Sequence, residues 1–160
     1  MTTKEYNESV KLYADRVFRF IVKSTEDEAL AKDITQDAYV KLWENHKELD
    51  ASKARSWLFT TSYRIMIDGI RRAKKMKRMD DNTKEPGHEE HWTDLQEVLH
   101  DALGKLPEIQ RQVILLRDYE GYSYEEIGEI TALNESQVKV YIFRGRKKLK
   151  EYLVGMEHLI

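Results

Sequence analysis

The residues best suited to chemistry in this sequence are the cations and hydrogen-bonding side chains between Ser136 and Lys150. This stretch holds six basic residues and no acidic residue. A helix that reads duplex DNA presents polar and thymine-contacting groups near its N-terminus, and cations farther along, where it meets phosphates. The simpler alternative is an amphipathic helix whose basic face is only solvated. The candidate DNA-contacting residues are Ser136, Gln137, Lys139, Val140, Phe143, Arg144 and Lys147.

Local signals assign that stretch to the second helix of a helix-turn-helix. Ser123 with Glu126, and Asn134 with Gln137, have the spacing of two capping boxes, each of which begins a helix. The turn between the two helices is short. Together with the acid-free face, these signals favour DNA binding over a solvated face. The apolar stripe predicted to pack on the first helix is Val138, Ile142, Gly145 and Leu149.

A second candidate for nucleic-acid binding is a predicted helix over residues 52–78. Its first half alternates aromatic and polar side chains, and its end is purely basic. Bases of single-stranded DNA stack on aromatic rings while cations follow the backbone. Alternatively, the aromatic residues are core; we expect Trp57 to be partly buried, and Tyr63 and Arg64 to be exposed. The candidate residues are Trp57, Thr60, Tyr63, Arg64, Arg71 and Arg72.

A third group of polar residues lies on one face of an earlier helix. This helix is predicted to begin at a Thr25–Glu28 capping pair and to continue to about Asn45. The face is either merely solvated or a docking surface for a partner. Its residues are Asp33, Gln36, Asp37 and Lys41.

Composition and periodicity predict an all-α chain of two small helical domains. Among its 160 residues there is no cysteine, and almost every apolar pattern has helical spacing. Residues 1–78 carry 17 basic and 12 acidic side chains, whereas residues 79–94 carry 1 and 6, and residues 95–160 carry 9 and 11. The middle segment, with Pro and Gly and without an apolar period, is predicted to be a flexible acidic linker between the domains.

Several function classes are disfavoured. The first residues lack the apolar run of a signal peptide, and no stretch is long and apolar enough for a membrane span, so we expect a cytoplasmic protein. His88 and His91 have the wrong spacing for the zinc-protease signature, and we expect neither a metal nor a cofactor. The acidic residues are dispersed over helix faces, so a nuclease or another enzyme is not expected.

Four motifs give the chain a family resemblance. They are DITQDAYVKLW (33–43), WLFTTSYRIMIDGIRR (57–72), LGKLPEIQRQVILLRDYEGYSYEEIGEI (103–130) and SQVKVYIFRGRKKL (136–149). Together the motifs cover nearly the whole chain outside the linker and the termini. With these motifs the chain resembles a bacterial RNA polymerase sigma factor of the extracytoplasmic-function (ECF) group. That group contains only the two domains called region 2 and region 4.

The resemblance implies a division of labour. Region 2, residues 1–78, would dock on the β′ clamp helices of core RNA polymerase through Asp33, Gln36, Asp37 and Lys41. Its residues 57–72 would bind and open the −10 promoter element. Region 4, residues 95–160, would sit on the β-flap of the polymerase and read the −35 element. An anti-sigma factor is the expected regulator, and no small-molecule substrate is implied.

Two departures from the family pattern concern specificity. Tyr63-Arg64 stands where the family usually has Arg-Asn, which leaves the −10 sequence unassigned. Val140-Tyr141 replaces a more common Ser-Arg pair, which favours contacts with thymine methyl groups. The residues leave two alternative functions open. One is a stand-alone helix-turn-helix regulator, and the other is an interaction module that binds polymerase or a regulator without starting transcription.

Overall fold

The computed structural model describes residues 1–80 and 95–157, and all the regular secondary structure in these ranges is helical. The all-α prediction is therefore confirmed. Residues 81–94 of the predicted linker, including His88 and His91, lie outside the described residues. The helices are α1 (Thr3–Thr25), α2 (Glu28–Asn45), α3 (Ala54–Asp80), α4 (Leu95–Gly104), α5 (Glu108–Ile114), α6 (Tyr124–Thr131) and α7 (Glu135–Glu157).

The junction of α1 and α2 differs from its prediction. Thr25 is the last residue of α1, and its hydroxyl donates to the Ile21 carbonyl at 2.8 Å. Glu26 follows with φ 58°, which turns the chain. Asp27 caps α2 instead, because its carboxylate accepts a hydrogen bond from the Leu30 N–H at 3.0 Å. The expected Thr25 cap is wrong: a capping group must lie just outside the helix it caps, whereas Thr25 belongs to the preceding one.

Helices α1, α2 and α3 pack on one another as the first helical unit. Periodic apolar residues supply its core, as the 3.6-residue spacing requires. Each large apolar side chain that is fully buried contributes about 1.5–3 kcal/mol relative to an exposed one. The core residues of this unit include Val17, Ile21, Ile34, Ala38, Leu42 and Leu58.

Helices α4 to α7 form the second unit, in which α7 packs on α4, α5 and α6. A π-helical segment, Leu115–Tyr119, continues α5, and Gly121 (φ 75°) then turns the chain toward α6. Only glycine adopts this backbone region without strain. The core residues of the second unit include Leu103, Val113, Leu116, Ile127, Val138 and Ile142.

The two units pack against each other, and their cores are continuous. The ring of Phe59 in α3 lies 5.6 Å from the Phe20 ring and 5.4 Å from the Tyr122 ring of the second unit, centroid to centroid. All three rings are at most 2% exposed. Because tilted and edge-on aromatic pairs add about 0.5–1.5 kcal/mol beyond burial, this stack joins the units as well as filling space.

Candidate nucleic-acid and polymerase interfaces

A capping box begins α6, the first helix of the helix-turn-helix. The Glu126 N–H donates to the Ser123 hydroxyl at 3.1 Å, and the Ser123 N–H donates to the Glu126 carboxylate at 3.0 Å. The hydrogen bond from the Ser123 backbone holds the pKa of Glu126 below its usual value. The capping prediction at this position is confirmed.

The turn between the two helices is as tight as predicted. Ala132 adopts φ 61° after the last residue of α6, and a Cβ added to Gly128 would lie 2.7 Å from the Leu133 carbonyl oxygen. The Gln137 N–H donates to Asn134 Oδ1 at 2.8 Å, and the Asn134 N–H donates to the side-chain oxygen Oε1 of Gln137 at 3.0 Å. Both predicted capping boxes are present. The Gln137 side-chain oxygen is therefore engaged, which leaves its amide NH₂ to face outward.

The apolar stripe of α7 packs more widely than expected. Val138 and Ile142 are buried, as predicted. Gly145 lies against the Ile114 and Gln110 side chains of α5, and a Cβ at this position would overlap Ile114 Cδ1. The prediction that the stripe packs on the first helix of the motif is incomplete, because α5 contributes a larger part of the contact of α7.

The opposite face of α7 is open. Every candidate residue on it is exposed, and Phe143 is 70% exposed although its side chain is wholly apolar. Arg146 instead turns toward the π-helical segment after α5. Its Nε lies 3.2 Å from Asp118 Oδ2 in that segment, and this hydrogen bond raises the pKa of Arg146. The exposed candidates on α7 are Ser136, Gln137, Lys139, Val140, Phe143, Arg144 and Lys147.

An apolar groove runs along this face. Tyr124 of α6 lines it together with Val140 and Phe143, and lysines form its rim. The Lys139 ammonium lies 3.5 Å from the Glu135 carboxylate and 5.6 Å from the centre of the Tyr124 ring. Such a surface can bind methyl groups through its apolar side chains and phosphates through its ammonium groups.

Most of the candidate residues on α3 are accessible, with one clear exception. Trp57 and Thr60 are half-buried, and Arg64, Arg71 and Arg72 are exposed, as expected. Tyr63 is only 7% exposed, so the expectation of an exposed Tyr63 is wrong. The physical reason is tertiary: its hydroxyl donates to Gln112 Oε1 of α5 at 3.1 Å, inside the contact between the units.

The polar face of α2 is exposed as a whole. Asp33, Gln36, Asp37 and Lys41 all face solvent, and no ion pair involves them within residues 1–80 and 95–157. Val40 and Trp43 beside them are 55% and 45% exposed. An exposed set of acids interleaved with large apolar side chains suits a protein partner better than nucleic acid.

Sequence reasoning missed a group of polar residues between the units. The Glu120 side chain is only 9% exposed, and its Oε2 lies 3.1 Å from Arg16 Nε and 3.7 Å from Arg55 Nη2. Arg111 donates to the Ser24 carbonyl at 2.7 Å. Each bond joins residues at least 65 positions apart, so no local pattern in the sequence announces them.

Within the part of the chain that the structure describes, no cluster of three or more His, Cys, Asp or Glu side chains is arranged to hold a metal ion. None of the helices in the same residues combines the length and apolarity needed to cross a membrane.

Two family models match the chain in the order of its two units. Residues 10–76 match sigma-70 region 2, and residues 96–149 match sigma-70 region 4. The first match covers most of α1, all of α2 with its polar face, and most of α3. The second covers α4 to α6 and most of α7, including the helix-turn-helix.

Similar proteins and structures agree with these matches. The chain is 34% identical over 135 residues to RNA polymerase sigma factor SigV of Bacillus subtilis, covering 82% of this chain and 79% of SigV. It is 28% identical over 153 residues to ECF RNA polymerase sigma factor SigM of the same organism, covering 90% and 92% of the two chains.

Solved structures show the same fold. The sigma factor RpoE of Bartonella quintana, in complex with the anti-sigma factor NepR, superposes with a TM-score of 0.79 at 24% identity, covering 94% of this chain and 98% of RpoE. CnrH in complex with the cytosolic domain of CnrY gives a TM-score of 0.70 at 24% identity, covering 96% of this chain and 90% of CnrH. Matches to both regions, in order, together with the similarities to SigV and to the ECF sigma factor SigM, assign the chain to the ECF group of RNA polymerase sigma factors.

Proposed function

We propose that this sigma factor binds core RNA polymerase, recognises −35 and −10 promoter elements and promotes promoter melting. Region 2 would comprise residues 1–78 and region 4 residues 95–160, with residues 79–94 as a linker. The observation that carries the proposal is the exposed face of α7 between Ser136 and Lys150, a stretch without acidic residues in the second helix of a capped helix-turn-helix. A helix in this position enters the major groove in other proteins with this motif.

Recognition of the −35 element would fall to the exposed face of α7. Ser136 and the free amide of Gln137 lie in its first turn, where base edges are within reach. Val140 and Phe143 offer apolar contacts for thymine methyl groups, while Lys139, Arg144 and Lys147 offer charge for bases or phosphates. The apolar groove beside Tyr124 supports this division, because it leaves the two apolar side chains uncovered.

Binding and melting of the −10 element would fall to α3. Arg64, Arg71 and Arg72 are exposed along one helix and suit a DNA backbone, and Trp57 and Thr60 are partly accessible beside them. Tyr63 joins this set only when the second unit moves away. Melting needs no catalytic group: binding of the displaced strand offsets unstacking, which costs a few kcal/mol per flipped base.

The polymerase would bind at two surfaces. The face of α2 with Asp33, Gln36, Asp37 and Lys41 would dock on the β′ clamp helices, and the exposed apolar residues beside it would add buried area. The second unit would contact the β-flap. The chain would act in the cytoplasm with polymerase and catalyse no reaction itself. We also propose an anti-sigma partner, because the structural neighbour RpoE is in complex with the anti-sigma factor NepR.

In vitro transcription tests this function. Purified chain is added to sigma-free core polymerase with a promoter library, and transcripts are sequenced for defined start sites. We expect initiation downstream of paired −35 and −10 elements. A stand-alone regulator would bind duplex promoters without polymerase and yield no transcripts. An interaction module would bind polymerase and still yield none. Either result contradicts the proposal.

A further inference from the structure

The end of α3 has no buried side. All eight residues from 71 to 78 are exposed, and Ile70 is the last residue before them that packs against the core. The nearest acidic residues along the helix are Asp68 before this segment and Asp80 after it. Met76 is its only large apolar side chain, so the segment offers charge and no apolar face. Its six basic residues are Arg71, Arg72, Lys74, Lys75, Lys77 and Arg78.

The fold compensates few of these charges. Among the described residues, Lys74 alone of the six forms an ion pair, with Glu108 of α5 at 3.4 Å. Lys74 also has Arg71 three positions before it and Arg78 four positions after it, and like charges at such spacings repel each other. Cations near a helix C-terminus interact favourably with the helix dipole, but only over the last turn. Folding therefore does not explain the cations that precede Lys77.

Four of the six cations form one stripe along the helix. The spacing i, i+3, i+4 and i+7, which defines one face of an α-helix, is that of Arg71, Lys74, Lys75 and Arg78. No aromatic residue follows Tyr63 in α3. Proteins that hold single strands combine cations with aromatic rings on which the bases stack. Because cations alone suffice for the phosphates of a duplex, the stripe fits the backbone of double-stranded DNA better than an unpaired strand.

The position of the stripe on α3 indicates which part of a promoter it would meet. Lys75 lies 18 residues after Trp57, or about 27 Å at ~1.5 Å per residue, the length of about eight base pairs of duplex. After Asp80 the chain continues to the unit proposed to read the −35 element, which is upstream of the −10 element. Resting on the proposed function, we propose that the stripe binds the phosphates of the double-stranded spacer between the two elements, whatever its base sequence.

The experiment uses the full chain bound to core polymerase, with a promoter identified by in vitro transcription. The test variant is Lys75→Gln with Arg78→Gln, which removes two charges from the stripe and introduces side chains that favour a helix. The matched control is Lys4→Gln with Lys11→Gln, the same loss of charge at exposed positions of α1. Circular dichroism and thermal unfolding verify that each variant is folded. Promoter affinity is then measured at several salt concentrations.

We expect the test variant to bind the promoter about fivefold more weakly, with a salt dependence shallower by about two units of slope, because each phosphate contact contributes about 0.9. The control variant should match the unmodified chain in both quantities. On DNA whose spacer phosphates are replaced by neutral methylphosphonates, the difference between the test variant and the unmodified chain should disappear. An unchanged slope in the test variant would overturn the proposal. So would a difference that persists in full on the neutral spacer.

Two further measurements separate the spacer from the −10 element and from the proposed function. The test variant should bind a single-stranded −10 oligonucleotide as tightly as the unmodified chain does, and a matching loss on this strand would overturn the proposal. A different spacer sequence of the same length should leave the loss of promoter affinity unchanged within about twofold, because phosphate contacts carry no sequence information. If the unmodified chain yields no transcripts, the proposed function fails and this inference fails with it. Initiation by the unmodified chain, with unchanged promoter affinity in the test variant, would refute this inference alone.

Discussion

The hydroxyl of Tyr63 donates a hydrogen bond to the side-chain oxygen of Gln112, 3.1 Å away and 49 positions along the chain. This bond ties the proposed −10-binding helix to the unit that carries the helix-turn-helix. It converts a residue expected to face DNA into one that faces protein. The same interface contains the Glu120 ion pairs and the Phe59–Tyr122 ring contact, so the two units form one packed body.

The exposed face of α7 leads to a direct prediction on DNA binding. Phe143→Ala should weaken binding to promoter DNA about tenfold or more, because the exposed ring loses its contacts with thymine methyl groups. Stability should change by less than about 0.5 kcal/mol, since the side chain is 70% exposed. Fluorescence anisotropy gives both affinities: that of the polymerase-bound chain for a labelled promoter duplex, and that of the free chain for core polymerase. Equal losses for DNA and polymerase would contradict the assigned face.

Lys139 provides a test of a different contact. Lys139→Ala should weaken promoter binding and leave core polymerase binding intact. If Lys139 contacts phosphate, the loss should be similar for all sequences and the salt dependence should become shallower by about one unit of slope. Binding isotherms at several salt concentrations measure both quantities. Lys11→Ala, at an exposed position on α1, is the control and should change neither.

The polymerase surface is tested by charge reversal on α2. Asp37→Lys should reduce binding to core polymerase at least tenfold, because an exposed acid at the proposed interface becomes repulsive. Glu28→Lys is the matched control: it lies nine residues away, about two and a half helical turns, on the opposite side of α2. Pull-down or interferometry with core polymerase compares them. If the two variants bind equally well, the acids on this face are merely solvated.

The capping box of α6 predicts a pH dependence of stability. Because the folded-state pKa of Glu126 is depressed, the unfolded state binds the proton more readily. Its stabilisation is therefore present above the unfolded pKa and is lost as pH falls through the folded one. Glu126→Gln, which removes the charge and keeps the shape of the side chain, should cost about 0.3–1 kcal/mol near neutral pH and less at low pH. Urea unfolding of both chains at several pH values measures this. A cost that does not fall with pH would contradict the role of the carboxylate.

Close packing at Gly145 predicts a larger loss of folding stability. Gly145→Ala adds a methyl group that overlaps Ile114, and overpacking of this kind costs about 1–3 kcal/mol. Gly155→Ala, in the same helix with no heavy atom within 4 Å of the added Cβ, should instead stabilise by up to about 1 kcal/mol. Urea denaturation gives both values. Equal effects at the two positions would show that α7 does not approach α5 as closely as described.

The sequence by itself determined the local architecture. The helical periods predicted an all-α chain, and the Ser123–Glu126 and Asn134–Gln137 boxes located both helix starts of the helix-turn-helix. These predictions are correct because the hydrogen bonds of a capping box join residues three positions apart. A short stretch of sequence therefore contains both partners. The exposure of the α7 and α2 faces could be predicted for a similar reason. The spacing of apolar residues along a single helix separates its buried side from its solvated side.

Only the tertiary structure decided which faces meet. Tyr63 lies on a helix flank that could equally face solvent, and its burial depends on Gln112. The buried charge of Glu120 depends on Arg16 and Arg55, which lie 104 and 65 positions earlier. Gly145 permits close packing with α5 as well as with the neighbouring helix of its motif. Such contacts between distant segments arise from the packing of whole helices, which local periodicity and capping do not specify.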